Sequence, residues 1–133
     1  VVQALDDERV AVARAFGHEL PGLLEEMAAI GTVEPKDARA GDLAAAIRAG
    51  GANAEIRAPD SFTHRYYQED LAYGLVPFLA LAGLTGVPTP VADALLRIGG
   101  TAVGEGLLTA GLDGGRLGLT GMDLSDLLGV VRH

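Results

Sequence analysis

The stretch Ser61–Pro90, SFTHRYYQEDLAYGLVPFLALAGLTGVPTP, decides the fold of this 133-residue chain. From Leu71 to Ala92 no side chain is charged, and an apolar run of roughly 20 residues is long enough to span a bilayer. Pro77, Gly83, Gly86, Pro88 and Pro90 instead cut it into a piece of core-helix length and a turn, and no basic cluster flanks it in the positive-inside manner. The segment therefore reads as a buried helix from about His64 to Leu84, with Ser61 or Thr63 placed to cap it. Pro77 falls inside that helix. Its ring removes one backbone donor and collides with the carbonyl four residues earlier, so a kink is predicted near Tyr73–Gly74. Arg65 and Asp70 stand at the polar mouth of the helix, a base and an acid about one turn apart.

The composition agrees with helices. About half of the residues are apolar, yet only three are Phe and three Tyr, and Trp is absent. A core of Leu, Val, Ile and many Ala suits closely packed helices better than a sandwich of aromatic and β-branched strands. The length fits one domain spanning residues 1–133. A net charge of −8 lacks the clustered Lys and Arg that a nucleic-acid surface needs. With no Cys there is neither a disulfide framework nor thiolate chemistry, which fits a cytoplasmic setting. The N-terminus has no signal-peptide pattern. It opens in mid-helix pattern without an initiator Met, as a domain taken from a longer chain would.

Working outward, Val2, Leu5, Arg9, Val12 and Phe16 recur at helical spacing, with Gly17 placed to stop the helix. Asp6, Asp7 and Glu8 crowd its first half and Arg14 its last turn, as the helix dipole favours. Pro21 opens a second helix with Leu20, Leu23, Leu24, Met27 and Ile30 on its apolar face. Thr32 to Arg39 reads as a loop, and Asp42 to Ala49 as a short helix anchored by Leu43 and Ile47. Ala52 to Pro59 shows no periodicity. Pro90 starts a fifth helix with Val91, Leu95 and Ile98 inward, ended or bent by Gly99-Gly100. Gly104 to Thr109 reads as a short helix, Gly111 to Gly121 as a glycine-rich connection, and Asp123 or Ser125 caps a last helix from Leu124 to Val131. The fold class is all-α, with about six helices.

Taken by themselves, Arg65 and Asp70 do not share a helix face perfectly. Near an irregular first turn both can point into one cleft, or Asp70 can sit in a surface ion pair worth under about 1 kcal/mol. His64 is six positions from Asp70, roughly the opposite side of a helix, so it lines a cleft or caps the helix rather than completing a dyad. Glu69 reads as a solvated or tuning carboxylate, and Tyr66 and Tyr67 divide between substrate and core. His18 follows a helix-stopping Gly, and His133 is the last residue. Three scattered His without an H-E-x-x-H spacing make no metal site. Gly99 to Gly106 resembles a phosphate loop only superficially, because it lacks the Lys and the preceding strand. No G-x-G-x-x-G follows a strand, so a nucleotide domain is absent from this chain.

Arg-Tyr-x-x-Glu-Asp (Arg65 to Asp70), Gly-Leu-Val-Pro (Gly74 to Pro77) and Gly-Val-Pro-Thr-Pro (Gly86 to Pro90) followed by Asp93 carry a resemblance. With Leu-Asp-x-Glu-Arg opening a helix that ends in Phe16-Gly17, and with Gly115, Arg116, Gly118 and Leu119, they resemble the helical C-terminal domain of the octopine/nopaline (opine) dehydrogenases. The resemblance implies a substrate-binding and dimerisation domain of the type that follows a Rossmann domain in opine and 6-phosphogluconate-like dehydrogenases. It implies an NAD- or NADP-dependent oxidoreductase that condenses an amino acid with a 2-oxo acid and reduces the imine, the cofactor being held mainly by the missing domain. On this resemblance Asp70 is the carboxylate of a catalytic His–Asp pair, whose His would lie upstream of Val1. Arg65 holds the oxo-acid carboxylate with its planar fork, and His64 and Tyr66 line the substrate cleft. The partners it implies are the two small molecules, the chain's own Rossmann domain and a second copy; the isolated chain should be catalytically silent. Two other readings stand beside it. One is a helical assembly module without chemistry. The other is the helical domain of a dehydrogenase acting on glycerol phosphate, phosphogluconate or ketopantoate, which would bring a Lys to the active-site helix, whereas the only Lys here is Lys36 in a predicted loop.

Overall fold

A computed structural model describes residues 1–53 and 55–131, so His133, and Ala54 in the aperiodic stretch, lie outside the described residues. Among the described residues every regular element is helical. The all-α reading holds.

Helix α1 spans Val2–Ala15 and stops where Gly17 takes a left-handed φ of +87°, a conformation open to glycine at no steric cost. Helix α2 (Leu23–Ala29) begins two residues beyond Pro21, with Gly22 as its N-cap. Its buried face is narrower than the spacing predicts, since Leu20 and Ile30 are exposed. A loop was expected over Thr32 to Arg39, but Pro35–Arg39 forms a helical turn, α3. Pro35 takes the first helical position, where its missing N–H removes only a donor that would have had no partner. Helix α4 (Leu43–Ala49) starts as its sequence predicts, with Asp42 Oδ1 accepting from the Ala45 N–H at 2.9 Å. A 3₁₀ turn, Gly51–Asn53, follows it.

The central segment is one helical rod in three parts: α5 (Arg65–Asp70), a π turn (Leu71–Leu75) and α6 (Val76–Thr85). The irregularity predicted near Tyr73–Gly74 is this π turn. In it the Val76 N–H reaches back five residues to the Leu71 carbonyl. The next rung of that register would join Pro77 to the Ala72 carbonyl, and Pro77 has no N–H to give. The Ala72 carbonyl takes the Leu112 N–H instead, at 2.9 Å. Gly86, at φ +71°, closes α6.

Helix α7 spans Pro90–Val103, passing through Gly99 and Gly100 rather than ending there. These glycines are packing notches, not breakers. A Cβ on Gly99 would lie 2.7 Å from Leu71 Cδ1, and one on Gly100 2.4 Å from Leu108 Cδ1. Ile98, expected inward, is exposed, while Ala92 and Gly100 face the interior. Helix α8 (Glu105–Thr109) and a turn-rich segment lead to α9 (Leu124–Val131), where Asp123 and Asp126 cap each other's backbone N–H at 2.9 and 3.1 Å.

Helix α1 lies against α6 and α7, the π turn lies against α7 and α8, and α2, α3 and α4 pack in sequence. The buried apolar residues are mostly small: Val12, Val33, Leu43, Ala46, Leu71, Ala72, Ala82, Ala92 and Leu119. The accessible surface is 8501 Å², whereas a compact monomer of this mass exposes about 6,600 Å². Helix α6, VPFLALAGLT, is apolar all round, yet only Ala82 on it is fully buried. Such a helix normally lies in a core, so the chain leaves apolar surface uncovered. Among the described residues no helix is long and apolar enough to cross a membrane.

Candidate functional site

The N-terminal end of the central rod gathers the polar groups that the sequence singles out. Ser61 and Thr63 were expected as caps, but their hydroxyls bond to each other at 3.0 Å. His64 caps α5 instead, its Nδ1 accepting from the Tyr66 N–H at 3.2 Å. This is one of the two roles expected of it from the sequence, and it leaves Nε2 outside the cap. The His64 and Tyr66 rings meet edge to face at 4.6 Å. Phe62 packs on Tyr67 at 5.3 Å, so both tyrosines are half-buried and neither is core.

Arg65 and Asp70 are both exposed. The Arg65 guanidinium lies 5.5 Å from the centre of the Tyr66 ring and 3.9 Å from Glu69 Oε1, one turn along the helix. Arg65 is therefore paired with Glu69 and not with Asp70. At 71% and 59% side-chain exposure that pair is loose. Asp70 ends α5 and opens the π turn. Among the described residues no donor lies within hydrogen-bonding distance of its carboxylate. Taken singly, an exposed carboxylate can accept an N–H, and a weakly held guanidinium can bind a second carboxylate, from partners outside the chain.

Gly99 to Gly106 offers no cradle for a nucleotide phosphate. Its first five residues are the packed end of α7, and Gly104 turns the chain into α8. A dinucleotide does not fit these residues. Asp93 is a surface partner in the first turn of α7: it accepts from Arg97 Nε at 2.7 Å and raises the pKa of that guanidinium above its ordinary value.

The acidic residues of α1 play a role that the helix-dipole reading missed. Glu8 is buried and accepts from the Val91 N–H at 2.7 Å and the Ala92 N–H at 2.9 Å, so it caps α7 from 83 residues away. Asp6, also buried, accepts from the Leu23 N–H at 2.7 Å and from Arg9 Nε at 2.8 Å, tying the start of α2 to α1. Arg9 also donates to the Pro21 carbonyl. The tail motif is structural in the same way: Arg116 donates to the Ala110 and Gly111 carbonyls at the end of α8, and Leu119 is core. A shallow apolar groove of about 330 Å³, lined by Val2, Leu5, Leu23, Leu75 and Phe78, lies between α1 and the central rod.

The family model described as "NAD/NADP octopine/nopaline dehydrogenase, alpha-helical domain" matches residues 1–103. An opine dehydrogenase of Arthrobacter sp. (strain 1C) is 28% identical over 131 residues, which is 98% of this chain and 35% of that protein. The chain thus spans about a third of the length of the curated relative it matches.

Proposed function

The chain belongs to the octopine/nopaline dehydrogenase family, a family of oxidoreductases, and from that premise we propose that it is the substrate-side domain of an NAD(P)H-dependent opine-type dehydrogenase. The reaction is the reductive condensation of an amino acid with a 2-oxo acid through an imine. NAD(P)H, held outside these residues, supplies the hydride. What carries the reading is the pairing of the family match with an Asp70 carboxylate that is exposed and, among the described residues, without a donor.

In this reading Asp70 accepts an N–H from a histidine contributed by the rest of the polypeptide. It fixes the imidazole tautomer and stabilises the imidazolium formed when that ring takes or gives a proton. Arg65 gives its planar fork to the oxo-acid carboxylate. Swinging it away from Glu69 costs under about 1 kcal/mol, and the Tyr66 ring steadies the guanidinium from one side. His64 holds the start of α5 with Nδ1 and turns Nε2 toward the substrate. The uncovered apolar surface of α6 and the groove beside it support a Rossmann domain of the same polypeptide and a second copy as partners, and the cytoplasm is the compartment this reading implies.

The test follows NAD(P)H oxidation by the full-length protein with a panel of 2-oxo acids and amino acids, separately and together, beside Asp70→Asn. Oxidation only when both substrates are present, with a rate at least 100-fold lower in the variant, is the expected result. No amine-dependent rate across the panel refutes the reading and leaves a helical domain that is alike in architecture alone; a variant as fast as the parent refutes the role of Asp70 and places the chemistry on other residues.

A further inference from the structure

A π turn adds one residue to a helix and so rotates everything before it relative to everything after it, by about 100° against an uninterrupted α-helix. Here the insertion falls immediately after Asp70. The direction in which Arg65 and Asp70 point, measured against α6 and α7, is therefore set by whether Leu71–Leu75 keeps its π register. Three features hold it. The Pro77 ring disfavours a return to the α ladder, in which residue 77 would have to donate to the Tyr73 carbonyl. The Leu112 N–H, from the loop after α8, takes the Ala72 carbonyl at 2.9 Å, and Ala72 is completely buried. That loop can approach because residue 111 is glycine: a Cβ there would lie 2.7 Å from the Ala72 oxygen and 3.2 Å from its Cα. Leu71 is keyed into the notch at Gly99 on α7, where a Cβ would lie 2.7 Å from its Cδ1.

We propose that Gly111, Leu112 and Pro77 are positioning residues for the reaction: together they lock the π turn and so aim Asp70 and Arg65 into the substrate cleft. The inference rests on the reading of Asp70 given above. None of the three touches substrate. Their effect passes through the backbone of Ala72 to the carboxylate two residues before it. A displacement of about 1 Å in a catalytic constellation can lower a rate about 100-fold.

The experiment is a double-mutant cycle in the full-length protein, with kcat and KM measured per folded molecule. Gly111→Ala pushes the loop off the Ala72 carbonyl. Pro77→Ala restores a backbone N–H, lets the rod return to α register, and introduces no clash should Gly111→Ala fail to fold. The expected result is a 10- to 100-fold fall in kcat in either variant, with KM for NAD(P)H unchanged. That fall should vanish when the same substitution is made in the Asp70→Asn protein. Parental kcat in both variants, or a fall of the same size in the Asp70→Asn background, overturns the inference while leaving the function of Asp70 standing. An Asp70→Asn protein as fast as the parent removes the role of Asp70 itself, and the inference with it.

Discussion

Glu8 offers the sharpest test of how this fold is held. Its carboxylate sits inside the protein and accepts two N–H groups from the first turn of α7, at 2.7 and 2.9 Å, while Thr89, the local N-cap, makes no side-chain cap of its own. Glu8→Ala removes both acceptors. Ala92 is completely buried, so its N–H is left without water and costs about 2 kcal/mol. Val91 is half-buried and can rehydrate, which limits its share to about 1 kcal/mol. The loss is therefore about 3 kcal/mol, or a fall in Tm of about 10 °C for a chain of this length. Glu8→Gln keeps one acceptor oxygen and turns an amide N–H₂ toward the other donor, so about half of the loss is expected. Asp7→Ala is the control: this neighbour is exposed and, among the described residues, accepts only from Gln3 at 3.0 Å. Urea denaturation of the three variants, compared at constant m-value, reads the effect. A Glu8→Ala chain within about 0.5 kcal/mol of the parent, or no more damaged than Asp7→Ala, would show that the α1–α7 cap is not what stabilises the helix start.

Three further outcomes follow from the same geometry. Asp70→Asn should change the stability of this chain by less than about 0.5 kcal/mol, because the carboxylate is exposed and, among the described residues, without a donor; a loss above about 1 kcal/mol by thermal melting would mark Asp70 as structural. Gly83→Ala, inside α6 with nothing within 4 Å of the added Cβ, should raise stability by up to about 1 kcal/mol, and a lower Tm would show that this face is more tightly covered than its exposure indicates. Arg116→Ala should cost about 1–2 kcal/mol through the two carbonyls it leaves at the end of α8, with hydrogen exchange rising first in residues 105–112; unchanged exchange there would separate Arg116 from the packing of α8.

Much of this protein is legible from its residues alone. Helical periodicity, Ala-rich composition and the stop signals at Gly17, Gly31 and Gly86 determine the all-α class and most helix limits, because propensity, capping and positive φ are local properties. Pro77 announces the irregularity in the central rod for the same reason. The motif from Arg65 to Asp70 was legible too, and it falls within the residues matched by the family model. Tertiary structure alone decided the rest. Asp6 and Glu8 look like ornaments of their own helix, and only the approach of α2 and α7 turns them into caps for those helices. Gly99-Gly100 carries the letters of a helix break. Leu71 and Leu108 pack where its Cβ atoms would stand, which keeps the helix running and turns Ile98 outward. Arg65 pairs with Glu69 and not Asp70 because a helix sets neighbours at four residues, not five. The Ala72 carbonyl that the π turn leaves over takes its hydrogen bond from Leu112, forty residues away in the chain. Periodicity and propensity describe a helix and its immediate neighbours. Which distant backbone group will meet an orphaned carbonyl is settled only when the helices close on one another.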